Sequence, residues 1–146
     1  MAVIRPGDPV RVVMSTPVAT VKPDVPLADL AASLEAEGVG AVVVMSGDRL
    51  DGVVSERDIV HAVAAGGDPT EVWAADVMAE DPVFVDLDEP IVTVATRMIA
   101  EGVRHVPVVC EGHVVGVVSI RDALRVLTEA WRAASEGSWA DQQTNQ

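Results

Sequence analysis

The chain has 146 residues, and its 23 Asp and Glu against ten Lys and Arg give a formal net charge of −13. This excess of acidic residues argues against sequence-independent nucleic-acid binding, which depends on Lys and Arg to neutralise phosphates, and we expect no nucleic-acid partner. No apolar run approaches the roughly 18 residues needed to span a bilayer, and no secretion signal opens the chain, so we expect a cytoplasmic protein with no membrane contact.

The sequence repeats itself with an offset of 64 residues. An apolar stripe at positions i, i+3, i+4 and i+7 predicts an amphipathic helix in each copy. Its members are Leu27, Leu30, Ala31 and Leu34 in the first copy and Ile91, Val94, Ala95 and Met98 in the second. Pro26 and Pro90 are expected in the first turn of these helices. Gly38 and Gly102 are expected to end them in the left-handed conformation.

Two β-rich runs follow each of these helices, separated by a short polar turn. The predicted strands cover residues 39–45 and 50–54 in the first copy and 103–109 and 114–118 in the second. The segments GVVSERDIV (52–60) and GVVSIRDAL (116–124) then lead into second helices, predicted at 59–65 and at 123 to about 133. Each copy therefore reads strand, helix, strand, strand, helix. We place the repeats at 10–66 and 74–130, with a connector over 64–74. Residues 131–146 hold the helix end and a tail predicted to be disordered from Gly137.

The doubled β-α-β-β-α unit, with GVVSERD and GVVSIRD closing it and VRHVPVV inside the second copy, resembles a tandem pair of CBS domains. These regulatory modules are named after cystathionine β-synthase, and the resemblance covers residues 10–130. It implies an α/β (α+β) fold whose two repeats pack sheet to sheet about a pseudo-twofold axis. It also implies a homodimer, formed when two chains join into a flat disc, and clefts between the repeats that bind adenine nucleotides or related adenosyl ligands.

The Ser-x-Arg-Asp segment has two interpretations. Ser followed by Asp three residues later, before an apolar helix, is typical of a capping box, which needs no ligand. A strand that runs into a helix N-terminus also presents free N–H groups to a phosphate, and the Asp carboxylate can accept both hydroxyls of a ribose. The two roles are compatible.

The two copies differ just upstream of this segment. The resemblance implies that Val103, Arg104 and His105 line the cleft, with basic side chains meeting phosphate, and that the strand containing Pro107 offers backbone groups to the base. Pro107 has no N–H, so we expect a neighbouring strand not to pair normally there. We predict a stronger site formed by Val103, Arg104, His105, Val106, Pro107, Ser119, Arg121 and Asp122. A weaker site is predicted from Val39, Gly40, Ala41, Ser55, Arg57 and Asp58.

Simpler roles stay open for several of these residues. Arg57 and Arg121 are equally consistent with solvated surface residues that pair with acidic groups, and His105 with a half-buried strand residue. A Ser55–His61 catalytic pair is excluded because six residues on one short helix turn the two side chains about 600° apart. The spacing of the His residues and the single Cys110 indicates no metal site.

Two hypotheses follow. The first is a stand-alone sensor that binds AMP, ADP, ATP, NAD or S-adenosylmethionine between its repeats and signals to a partner protein. The second is a ligand-independent dimerisation or scaffold protein, in which the Ser-x-Arg-Asp segments are only helix caps. No acid, base and nucleophile come together with usable spacing, so we predict neither an enzyme nor a catalytic cofactor.

Overall fold

The computed structural model describes the backbone of residues 3–143 and the side chains of residues 3–137. A 3-10 turn (Val10–Val12), β1 (Thr20–Val21), α1 (Leu27–Glu37), β2 (Ala41–Ser46), β3 (Arg49–Ser55) and α2 (Glu56–Ala64) make up the first part. The second part contains α3 (Ala74–Val77), β4 (Ala79–Glu80), β5 (Val85–Asp86), α4 (Ile91–Glu101), β6 (His105–Cys110), β7 (His113–Ser119) and α5 (Ile120–Gln143). The predicted β-α-β-β-α order of each repeat is confirmed.

Helices α1 and α4 occupy equivalent positions in the two repeats. Each ends at a glycine in the left-handed conformation, Gly38 at φ 65° and Gly102 at φ 68°, as predicted. Pro26 and Pro90 lie one residue earlier than predicted, immediately before the first helical residue. The apolar stripe of each helix faces the core, with one exception in the first copy, where Ala31 is exposed.

Two separate sheets carry the repeats. The first has the strand order β1-β2-β3-β4 and the second the order β5-β6-β7. In the first sheet, β2 pairs parallel with β1 and antiparallel with β3. In the second sheet, β6 is the equivalent middle strand and pairs parallel with β5 and antiparallel with β7. The antiparallel registers match: Val43 lies opposite Val53, and Pro107 lies opposite Val117.

The segment that leads into each repeat packs on the other repeat. Strand β4 precedes the second repeat but pairs with β3 of the first, where Ala79 lies opposite Val53. At the equivalent edge of the second sheet, Ser15 forms a bridge to Val117. The cores follow the same exchange, because Val10 is buried among second-repeat residues and Ala74 among first-repeat residues. This exchange joins the two repeats and brings the Ser15 region to the second repeat's sheet.

The second helix of each repeat begins earlier than predicted. Helix α2 begins at Glu56 rather than residue 59, because the Ser and Asp of the preceding segment form its cap. The disordered tail predicted from Gly137 is wrong as far as Gln143, which ends α5. Extending an existing helix adds one hydrogen bond per residue, and a single glycine costs only about 1 kcal/mol; residues 144–146 lie outside the described part. No described helix is both long and apolar enough to cross a membrane.

Candidate functional site

The starts of two strands and two helices meet where the repeats adjoin. The Glu56 N–H at the start of α2 donates to the Gly40 carbonyl at 2.9 Å. The equivalent Ile120 N–H at the start of α5 donates to the Arg104 carbonyl at 2.7 Å. These two bonds hold each helix start against the residue that precedes the middle strand of the same repeat. They place side chains of both repeats around one cleft.

A pocket of about 480 Å³ opens at this junction. The first repeat and its leading segment contribute Ser15, Pro17, Val18, Ala19, Gly38, Val39, Gly40, Ala41 and Glu56. The second repeat contributes Arg104, His105, Val117, Ser119, Ile120, Arg121 and Asp122. The volume falls within the range of small-molecule sites, about 300–1,000 Å³, and the lining combines apolar walls with a few charged groups.

Asp122 stands in the first turn of α5 as part of a capping box. The Ser119 N–H donates to Asp122 Oδ2 at 3.0 Å, the Ser119 hydroxyl donates to the same oxygen at 2.8 Å, and the Asp122 N–H donates to Ser119 Oγ at 3.2 Å. Ser55 and Asp58 make the equivalent bonds at the start of α2. The predicted helix caps are thus confirmed in both repeats. Within the described residues, both bonds to the Asp122 carboxylate end on Oδ2, which leaves Oδ1 as the oxygen able to accept from a ligand.

Gly40 lines the pocket just before the middle strand of the first repeat, where a side chain would meet His105. A methyl group placed on its Cα would lie 2.9 Å from His105 Nε2 and 3.9 Å from Glu56 Oε1. The absent side chain therefore lets the His105 ring approach the backbone of the first repeat. The second repeat has Arg104 at the equivalent position, so the two repeats differ in bulk and charge here.

The electrostatics of the pocket depend on His105 and two arginines. Burial lowers the pKa of His105 below its usual value of 6.5; Glu56, Asp122 and Asp58 oppose the shift, whereas Arg104 reinforces it. His105 is therefore mainly neutral at pH 7, so the cationic role predicted for it does not follow from the structure. Arg104 and Arg121 are exposed, and neither takes part in an ion pair among the described residues. They supply the positive charge of the pocket.

The sequence predicted one site in each repeat, whereas the pocket in the structure draws residues from both predicted sites. Arg104, His105, Ser119, Arg121 and Asp122 line the pocket together, as predicted for the stronger site. Three residues assigned to the weaker site, Val39, Gly40 and Ala41, line this same pocket. Ser55, Arg57 and Asp58, the remaining members of the weaker site, and Val103 of the stronger one are not among its lining residues. The pocket thus combines the strand start of one repeat with the Ser-x-Arg-Asp segment of the other.

Two further residues of the predicted stronger site lie in β6. The Val106 side chain is fully buried in the core of the second repeat, so it cannot line the pocket. Pro107 is also buried and keeps its place opposite Val117 in the ladder with β7. The pairing lost at Pro107 is on the β5 side: the equivalent Val43 N–H donates to the Ala19 carbonyl at 3.0 Å, a bond that proline cannot make.

Several lining residues were not predicted from the sequence. They are Ser15, Pro17, Val18, Ala19, Gly38, Glu56, Val117 and Ile120. The residues around Ser15 reach the pocket through the exchange of leading segments, which no local pattern indicates. Glu56 could have been found, because it is the one position of the SERD and SIRD segments at which the two copies differ. In the described part of the chain, no three or more His, Cys, Asp or Glu side chains are grouped as metal ligands.

Comparisons with known proteins agree with this architecture. The CBS domain family matches residues 7–65 and 74–129. A 17.7 kDa protein of Acidianus ambivalens is 34% identical over 122 residues, which make up 80% of this chain and 71% of the relative. The chain spans only about half the length of two other archaeal relatives, 52% of one and 45% of the other.

Solved structures show the same fold. The CBS-domain protein ATU1752 from Agrobacterium tumefaciens is 30% identical and superposes with a TM-score of 0.73, covering 80% of this chain and 97% of that one. The CBS domain pair of protein MJ0100, solved with 5′-methylthioadenosine and S-adenosylmethionine, superposes with a TM-score of 0.78 at 24% identity, covering 86% and 99%. The two repeats, their pairing and the matches over both of them agree: the chain belongs to the CBS-domain family, as a tandem pair of CBS domains.

Proposed function

We propose that the protein is a regulatory module that binds an adenosyl compound in the pocket between its repeats and passes the resulting change to a partner protein. The observation that carries the proposal is the arrangement around Asp122. Its Oδ1 is available on the second-repeat side of the pocket, while the small residues Gly40 and Ala41 line the first-repeat side. CBS-domain pairs generally act as regulatory ligand-binding modules, which supports a role that is not catalytic.

Each part of an adenosyl ligand has a matching group. A carboxylate accepts hydrogen bonds from the two hydroxyls of a ribose, which suits Asp122 Oδ1. The charged groups that line the pocket around the 5′ substituent are Arg104, Arg121 and Glu56, next to the positive end of the α5 helix dipole. Apolar walls, including Val18 and Val39, suit the adenine ring. MJ0100, which shares this fold, was solved with adenosyl compounds, and this also supports the assignment.

Signalling requires the ligand to favour one arrangement of the repeats over another. The pocket draws side chains from both repeats, so an occupant contacts the first-repeat strand through Gly40 and the second-repeat helix through Asp122 at once. A ligand that bridges them stabilises the arrangement in which these two surfaces are close. A partner protein that recognises this arrangement would then respond to the ligand.

The proposal is tested by melting the protein with AMP, ADP, ATP, NAD, 5′-methylthioadenosine and S-adenosylmethionine in turn. A ligand at 100 times its Kd stabilises the folded state by about 2.7 kcal/mol, a shift in Tm on the order of 5–10 °C. We expect Asp122→Asn to weaken binding roughly 10- to 100-fold, because one amide oxygen cannot serve both the cap and the ribose. Calorimetric titration of the variant measures this loss.

Asp58→Asn is the matched control. This substitution disturbs the equivalent capping box at the start of α2, but Asp58 does not line the pocket. Both variants should lower the Tm of the free protein similarly, and only Asp122→Asn should lose affinity. An equal loss of ligand affinity in the two variants would refute the assignment of the ribose to Asp122. A panel in which no compound shifts the Tm would favour the alternative of a ligand-independent dimerisation or scaffold protein.

The proposal includes a homodimer located in the cytoplasm. Its support is exposed apolar surface at equivalent positions of the two repeats: Val60 on α2 is 67% exposed and Leu124 on α5 is 51% exposed. Surface of this kind is typical of protein–protein contacts. Light scattering should give twice the 15.3 kDa mass of one chain, and a mass of one chain at micromolar concentration would contradict the homodimer.

A further inference from the structure

The charged residues that line the pocket balance one another. Arg104 and Arg121 are positive, and Glu56 and Asp122 are negative. His105 adds little positive charge near pH 7, since burial lowers its pKa. The whole chain carries −13, so the field outside the pocket opposes anions as well. A ligand with several phosphates would therefore enter a neutral pocket on a strongly negative protein.

Glu56 is the group that removes the net positive charge. It is the first residue of α2, and its Oε1 lies 3.9 Å from where a methyl group on Gly40 would stand. No hydrogen bond or ion pair to its carboxylate is present among the described residues, so no direct partner holds this charge away from a ligand. Of the charged groups that act on His105, Glu56 has the largest effect on its pKa, so its carboxylate acts directly on a side chain that lines the pocket.

The second repeat has no acidic residue at the position equivalent to Glu56, so this negative charge is present only on the first-repeat side of the pocket. Ile120 begins α5 as Glu56 begins α2, and both residues line the pocket. The Ile120 side is apolar and leads to Asp122 and Arg121, where the ribose is proposed to bind. The Glu56 carboxylate lies near Gly40 and His105 instead.

We propose that Glu56 selects the ligand by charge, so that the pocket takes adenosyl compounds with a neutral or cationic 5′ substituent in preference to nucleoside polyphosphates. This inference rests on the proposed function and names the ligand class of the same site. A thioether is not repelled by the Glu56 carboxylate, and a sulfonium or ammonium group is attracted to it. Each phosphate adds negative charge that Arg104 and Arg121 must offset against Glu56.

The test compares three ligands of different charge in calorimetric titrations: ATP, neutral 5′-methylthioadenosine and cationic S-adenosylmethionine. We expect the wild-type protein to bind ATP at least about tenfold more weakly than the other two compounds. Glu56→Gln should strengthen ATP binding about fivefold and weaken S-adenosylmethionine binding about fivefold, the effect of one charge several ångströms away near a protein surface. Binding of 5′-methylthioadenosine should stay within about twofold. Glu56→Lys should enlarge both changes in the same directions.

Glu129→Gln is the control, because Glu129 is exposed on α5, does not line the pocket, and changes the net charge of the chain by the same amount. It should leave all three affinities within about twofold. If the compounds bind but Glu56→Gln moves all three affinities in one direction, or none of them, selection by Glu56 is wrong while the proposed function stands. If no compound binds the wild-type protein, the inference fails together with the proposed function.

Discussion

Replacing Gly40 with leucine should reduce the affinity for adenosyl ligands on the order of 100-fold. Gly40 lines the pocket, and even a methyl group there would lie 2.9 Å from His105 Nε2. This distance is shorter than a normal contact between a methyl carbon and a ring nitrogen. The rest of a leucine side chain would extend into the space that we assign to the ligand. Gly40 has no left-handed backbone conformation that would oppose the substitution, so the loss reflects the filled pocket rather than strain.

Gly7→Leu is the matched control for this variant. A methyl group on Gly7 would have no other atom within 4 Å, and Gly7 does not line the pocket, so ligand affinity should stay within about twofold of wild type. Circular dichroism of both variants establishes that the repeats are folded. A folded Gly40→Leu protein that binds the same compounds with wild-type affinity would show that the ligand lies elsewhere.

The glycines that open the two repeated segments should differ in how well they tolerate a side chain. A methyl group on Gly52 would lie 2.6 Å from the Ala79 carbonyl oxygen, which belongs to the backbone of β4. A methyl group on Gly116 would meet the Met14 side chain, whose Sδ would be 2.6 Å away. Because methionine can change rotamer and a paired strand cannot, we expect Gly52→Ala to cost about 3 kcal/mol and Gly116→Ala about 1 kcal/mol.

Urea denaturation followed by tryptophan fluorescence measures this difference as a change in the free energy of unfolding. The two substitutions occupy equivalent positions and reduce the conformational freedom of the unfolded chain by the same amount, so each serves as the control for the other. Equal costs, or a greater cost for Gly116→Ala, would contradict the close approach of β4 to β3.

The periodic patterns were sufficient to predict the repeats and their elements. The stripe that contains Leu30 and its equivalent Val94 specifies the helices, because burial at a 3.6-residue period has one structural solution. The Ser and Asp of each repeated segment specify the helix starts, because they satisfy free N–H groups within four residues of chain. Such signals are local, and the structure confirms them in both copies.

The composition of the pocket was not predictable in the same way. Whether the Asp122 side of one repeat faces its own strand start or that of the other repeat depends on how the sheets pack. Local patterns are equally compatible with both arrangements. The exchange that places Ser15 on the second sheet and Ala79 on the first is a long-range contact with no periodic signal. The sequence therefore identified most of the polar groups of the pocket as one set, but it assigned Val39, Gly40 and Ala41, which line the same pocket, to a second site.

The most direct test of the account is a crystal structure of the protein grown with 5′-methylthioadenosine. We expect electron density between Gly40 and Ser119, with ribose hydroxyl oxygens about 2.5–3.0 Å from Asp122 Oδ1 and contacts from both repeats. Density for the compound at another surface, or a ribose turned away from Asp122, would contradict a ligand site shared between the two CBS domains.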